Sequence, residues 1–176
     1  MSGNNMIVIE TARLNIRKYT DEDTAALSAI LSDPLTMAFW PAPFTSRQTE
    51  EWIERNIQSY LTQGFGRWAV ELKETGRLIG DAGIIKLELN GRVENDLGYI
   101  IHSDYWRQGY AYEAAKSILN YAIQELGLDR ICINMPADHV ASEGVAIKLG
   151  LKKETEYRNR RNRDKLTCLY SSFKSE

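Results

Sequence analysis

The 176-residue chain has little cysteine, no long apolar run and almost no excess of charge of either sign. Cys132 and Cys168 both stand in strand-like stretches, where a thiol serves as a small buried hydrophobe, and with no further ligand cluster they make no zinc site. No stretch approaches the roughly 18 apolar residues of a membrane span. The opening residues, Met1 to Met6, are short and polar rather than a secretory leader, so the expectation is a cytoplasmic protein without a membrane partner. A formal charge of −2 argues against broad adhesion to nucleic acid or to an anionic lipid surface, so any such contact must be local. No internal repeat is present.

What is there suits one folded unit. With 43% hydrophobic and 26% charged residues, a chain of this length buries about 70% of its unfolded surface in a single core, which predicts one domain over 1–176. Residues 7–17 alternate as a strand. Thr20 and Asp23 have the spacing of a capping box, opening a helix with Leu27, Ile30 and Leu31 on its apolar face and Pro34 beyond its end. Residues 35–44 carry Phe39, Trp40, Pro41, Pro43 and Phe44, too aromatic for a solvated loop and too proline-rich for a helix, and are assigned to a pocket wall. A second capping box at Thr45 and Gln48 opens a helix striped by Trp52, Ile53, Ile57, Tyr60 and Leu61, which Gly64 closes. Strands over 67–72, 77–87 and 93–102, broken at Glu74-Thr75-Gly76 and Asn90-Gly91, predict an antiparallel meander.

The stretch 105–115, Tyr-Trp-Arg-Gln-Gly-Tyr-Ala-Tyr-Glu-Ala-Ala, then joins a strand to an amphipathic helix that runs to Gly127. Its first turn leaves main-chain amides unpaired at the positive end of the helix dipole. Gly109 removes a Cβ from that junction and Arg107 adds a charge, so it reads as a phosphate cradle. A helix crossing from 93–102 to the strand at 130–135 predicts that these two strands are parallel. A fourth helix over 142–149, ended by Gly150, and a closing hairpin over 152–173 complete the order.

That order, the Asp-Leu-Gly-Tyr-Ile-Ile run at 96–101, the 105–115 loop and Val-Ala-Ile-Lys-Leu-Gly-Leu at 145–151 together resemble the GNAT acetyltransferases. Within them the nearest branch is the ribosomal-protein N-terminal (Rim-type) acetyltransferases. The resemblance runs from Glu10-Thr11-Ala12-Arg13-Leu14 to Leu169-Tyr170. It implies an α/β (α+β) fold with a mixed, mostly antiparallel sheet of about seven strands, a parallel pair at the cofactor cleft and four flanking helices. It also implies acetyl-CoA as cosubstrate. The pantetheine arm would lie along backbone groups of Ile100, Ile101 and His102, beside a bulge at or near Gly98. The diphosphate would lie on the amides of Arg107, Gln108, Gly109, Tyr110 and Ala111.

Attack on a thioester needs a neutral amine, and an α-amine, with its pKa of about 7.7–8.0, needs less help than a lysine. By the resemblance Asp96 is the base, with Glu94, two residues earlier on the same face, in reserve. The tyrosine that many members carry on the fourth helix is replaced by Ala146. Ser142, which is either a helix cap or a donor to the leaving sulfur, is therefore the second catalytic candidate. His139 replaces an asparagine of the branch's pattern and is a cofactor contact or a solvated loop residue. Phe39, Trp40 and Asp96 are assigned to the acceptor. The 152–165 segment holds seven basic and three acidic residues and is either a solvated tip or a dock for an acidic or RNA-bearing substrate.

The resemblance favours an acceptor that is a protein or peptide N-terminal α-amine, such as that of a ribosomal protein. A small amine such as a polyamine or aminoglycoside is the alternative. An acyl-CoA-binding or RNA-contacting module without turnover is a third reading. A homodimer is left open, and no metal is expected.

Overall fold

The computed structural model describes residues 6–172. The polar opening residues 1–5 and position 173 of the closing hairpin lie outside the described residues. Eight strands form one sheet in the order β1-β2-β3-β4-β5-β6-β8-β7. They are β1 (Ile7–Glu10), β2 (Leu14–Arg17), β3 (Arg67–Leu72), β4 (Leu78–Leu89), β5 (Arg92–Ile101), β6 (Cys132–Pro136), β7 (Lys152–Asn159) and β8 (Lys165–Ser171). Every pairing is antiparallel except β5 with β6. The helices are α1 (Thr24–Leu31), α2 (Ser46–Thr62), α3 (Tyr110–Gln124) and α4 (Val140–Lys148).

Local chemistry sets these boundaries. Thr20 and Asp23 cap each other's backbone, but the turn they open is a short 3₁₀ helix that leads into α1. Thr45 and Gln48 do the same for α2, whose chain leaves through Gly64 at φ 81°. The alternating stretch 7–17 is two strands, because the chain folds back on itself and pairs Ile7 with Arg17. Alternation alone does not reveal that reversal, since both halves keep the same period.

The helices cover both faces of the sheet. Trp68, Val70, Leu97 and Ile101 pack with Ala114, Ala115 and Ile118 of α3 and Ala146 of α4. Ala69 and Ile100 pack on the opposite face, with Leu27, Ile30 and Leu31 of α1 and Trp52 and Ile53 of α2. β3 and β5 each look into both layers, and the candidate site lies along β5.

Candidate active site

β5 and β6 run parallel and register at one point, Asp96 opposite Cys132. Past it β5 continues along β4 to Ile101, whereas β6 keeps to β8 on its other side. The two strands therefore splay, and the C-terminal half of β5 has an open edge. The β4–β5 register is unshifted from Gly80 opposite Ile101 to Leu89 opposite Arg92. The bulge expected near Gly98 is thus absent, and divergence from β6 opens the strand instead. His102 N–H donates to the Ile79 carbonyl. By the alternation of an antiparallel ladder, His102 and Ile100 turn their backbone groups to β4, while Tyr99 and Ile101 turn theirs to the open edge. The Ile101 carbonyl there accepts from Trp106 Nε1 at 2.7 Å.

On the α1/α2 face, a cleft of about 590 Å³ is lined by Phe39, Trp40, Trp52, Arg67, Asp96 and Gly98, among others. Asp96 is buried and accepts from Asn134 Nδ2 at 2.8 Å. Burial dominates its titration and pushes the carboxyl up to about 7, against the opposing pull of the Arg67 guanidinium and the Asn134 amide. Arg67, Gly83 and Gly98 form a row across β3, β4 and β5. A Cβ at Gly98 would fall 1.8 Å from Arg67 Nη1. Gly98 is thus a glycine because a guanidinium lies on it. Arg67 Nε donates to the fully buried Asp81 at 2.6 Å, and Asp81 also accepts from Trp52 Nε1 at 2.8 Å and from the Tyr19 hydroxyl.

On the α3/α4 face, the Tyr99 hydroxyl donates to the Ser142 carbonyl at 2.9 Å and lies 3.1 Å from Ser142 Oγ. Burial raises the tyrosine's pKa above its ordinary value, so it keeps its proton. Ser142 lies inside α4, whose N-cap is His139, and so it does not cap the helix. Ala146 is wholly buried beneath it. A phenol is present after all, brought by β5 rather than α4. The single sequence did not point to Tyr99, because strand alternation alone does not say which helix a tyrosine meets.

Gly109 N-caps α3 at φ 81°, and Arg107 is left-handed too, at φ 63°. A Cβ at Gly109 would make only an ordinary 3.5 Å contact with Arg13 Nη2, so the backbone angle and not crowding calls for glycine. A left-handed residue followed by a right-handed one, as at Gly109 and the start of α3, is the backbone pattern from which anion nests are made. Arg107 and Gln108 are exposed, and Tyr110 and Ala111 are half-buried. Arg13 escaped the sequence reading. Its guanidinium stacks 4.1 Å from the Tyr110 ring centroid and Nε donates to Glu113 at 2.7 Å, which fixes an Arg13–Glu113 ion pair beside the loop.

The remaining candidates divide. His139 stacks on Phe39 with ring centroids 3.9 Å apart, and burial drops its pKa to about 4, so it is neutral near pH 7. Trp40 meets Phe44 and Trp52 edge to face. The β7–β8 tip holds this aromatic segment: Asn162 Nδ2 donates to the Phe39 carbonyl at 2.7 Å and Arg163 Nη2 to the Trp40 carbonyl at 3.2 Å. His102 Nδ1 accepts from the Asp104 amide at 3.1 Å. Glu94 is occupied: burial alone would raise its pKa, but the Cys132 thiol and Arg130 Nε, both at 2.7 Å, hold the carboxyl below its ordinary range. Among the described residues no group of three or more His, Cys, Asp or Glu could hold a metal, and no helix is long and apolar enough to cross a membrane.

Comparison with known proteins identifies the family. The family description "Acetyltransferase (GNAT) domain" matches residues 13–152. The protein named uncharacterized N-acetyltransferase YoaA of Bacillus subtilis (strain 168) is 32% identical over 149 residues, covering 84% of each chain. A GNAT-family acetyltransferase structure from Bacillus anthracis superposes with a TM-score of 0.80 at 24% identity, over 94% of this chain and 97% of that one. A ribosomal L7/L12 alpha-N-protein acetyltransferase solved with coenzyme A gives a TM-score of 0.78 at 14% identity, over 95% and 97% of the two chains. The chain belongs to the GNAT acetyltransferases and is an acyltransferase of that family.

Proposed function

We propose that the protein transfers the acetyl group of acetyl-CoA to an α-amine at a protein or peptide N-terminus. The observation that carries this reading is the buried Asp96 at the splay of β5 and β6, with its carboxyl pushed up to about 7. A base of that strength is matched to an amine of pKa about 7.7–8.0 rather than to a lysine near 10.4. The coenzyme A complex of the L7/L12 acetyltransferase supports the choice of cosubstrate.

The diphosphate rests on the amides of Arg107, Gln108, Gly109, Tyr110 and Ala111, with Arg13 beside them. The pantetheine arm follows β5 as an added strand. Its partners are Ile101 and, from the direction of the backbone groups, Tyr99, whereas Ile100 and His102 contribute position rather than main-chain hydrogen bonds. The thioester then sits in the splay, open to both faces of β5. From the α1/α2 face the amine enters between Phe39, Trp40 and Asp96, which takes its proton as the C–N bond forms. When the C–S bond breaks on the α3/α4 face, Ser142, oriented by Tyr99, hydrogen-bonds the departing thiolate. His139, neutral and stacked on Phe39, shapes the wall between the two entrances.

Asp96→Asn keeps the shape and an acceptor for Asn134 but loses the base. Expected is a fall in kcat/KM of roughly 10²-fold or more and the disappearance of the rise in rate through pH about 7. A variant that keeps both rate and pH profile would remove Asp96 from the reaction.

A further inference from the structure

Arg67 is 3% exposed, and its Nε is taken by Asp81 at 2.6 Å. A guanidinium in that position ordinarily donates through Nη2 to the second oxygen of the same carboxylate. Here the second oxygen, Oδ2, already accepts from Trp52 Nε1 and the Tyr19 hydroxyl. The end of the guanidinium, Nη1 and Nη2, donates to nothing among the described residues, and Nη2 is wholly buried without a partner. A buried donor left in that condition costs free energy, and Nη1, which lies over Gly98 on the cleft wall, is the end of the guanidinium that a ligand meets.

The surrounding sheet is shaped around this side chain. Gly83 pairs with both Arg67 and Gly98, so two glycines clear a track from β3 across β4 to β5. Side chains at both positions would obstruct it, the first against the backbone of Gly66 and Arg67, the second against Nη1 itself. The track ends in the acceptor cleft, over Gly98, two residues along the same strand face from Asp96. At a strand rise of about 3.3 Å per residue, the guanidinium lies about 7 Å along β5 from the base. The cleft's other charged side chains lean the same way: Arg55, Arg158, Arg160 and Arg161 line it, against Glu88 and Asp96.

We infer that Arg67 is a specificity residue that receives a carboxylate of the acceptor, so that the preferred acceptor is an amine carrying a carboxylate a side chain's length from the reacting nitrogen. An amino-terminal aspartate or glutamate has that form, and a free acidic amino acid has the same chemistry in a small molecule. A polyamine brings only cations to a site already lined by arginines. This inference rests on the amine acceptor entering beside Asp96, and it goes further by naming what the rest of that acceptor must carry.

The test uses wild-type protein, acetyl-CoA, and peptides identical except for Glu, Gln or Lys as first residue, with free glutamate and spermidine as small-molecule arms. Expected is a kcat/KM at least ten-fold higher for the Glu peptide than for the Gln peptide, carried mainly in KM, and the lowest value for spermidine. A gain for free glutamate equal to that for the Glu peptide would assign the carboxylate to a small-molecule acceptor. In parallel, calorimetry of the Glu and Gln peptides against the protein loaded with coenzyme A reads the preference without turnover. A Glu preference in binding with no acetylation would keep the carboxylate site and remove the reaction proposed above. Equal binding and equal kcat/KM for Glu and Gln would overturn the Arg67 assignment while leaving the acetyl transfer intact. Arg67→Gln, if folded, should abolish the preference and leave the KM for acetyl-CoA unchanged.

Discussion

At the scale of single residues, the burial of Asp96 costs the fold stability wherever its carboxyl is ionised. Its carboxyl titrates near 7 in the fold against 3.8 in the unfolded chain. A group whose pKa rises on folding stabilises fully below the unfolded value, and that contribution is lost as pH climbs through the folded one. Three units correspond to a ceiling of about 4 kcal/mol. Asp96→Asn removes the buried charge, so at pH 8 the variant should be the more stable by about 1–3 kcal/mol, or several degrees in Tm for a domain of this size. The advantage should shrink towards pH 4, where the folded wild-type carboxyl is protonated and the unfolded one is close to its midpoint. Melting curves at the two pH values check this. A Tm difference that does not change with pH would mean that Asp96 is not the group that burial perturbs.

At the scale of elements, the basic β7–β8 tip proves to be an anchor. Asn162 is buried and donates to the carbonyl of Phe39, while Arg163 donates to that of Trp40. The arginines of that run are exposed, as solvated charge should be, but Asn162 among them is buried against a segment more than a hundred residues away, which nothing local announces. The same limit explains Arg67, whose meaning depends on the register of three strands, and Tyr99, whose meaning depends on where α4 crosses. Capping boxes, glycine stops and the loop before α3 were legible because their causes lie within a few residues. Glu94 shows the intermediate case: its face followed from alternation, but its capture by Arg130 and Cys132 did not. Asn162→Ala strands the Phe39 carbonyl and should cost about 1–2 kcal/mol. Because the aromatic wall loses its tether, the KM for the acceptor should rise while that for acetyl-CoA stays put, a split that steady-state kinetics resolves.

At the scale of the whole molecule, the sheet is two sections held together edge to edge at one registered point. β1 to β5 form one section and β6 to β8 the other, with Asp96 opposite Cys132 between them. Side chains bridge the junction, Asn134 to Asp96 and Arg130 and Cys132 to Glu94, and α3 and α4 pack across it on one face. A cosubstrate that lies along the open edge of β5 would add a strand where the sheet has a gap, so its binding should stiffen the fold beyond its immediate contacts. At 100 times its dissociation constant acetyl-CoA should add about 2.7 kcal/mol, and at about 2–4 °C per kcal/mol the expected rise in Tm is roughly 5–11 °C. Amide exchange locates the effect. The Tyr99 and Ile101 amides, which face the open edge, should slow markedly with acetyl-CoA, whereas Ile100 and His102, already directed at β4, should change little. If protection appeared instead at Ile100 and His102, or if the melt did not move, the cosubstrate would have to lie elsewhere than in the splay. The roles proposed for Asp96, Ser142 and Arg67 would then lose the reacting centre that they are proposed to share.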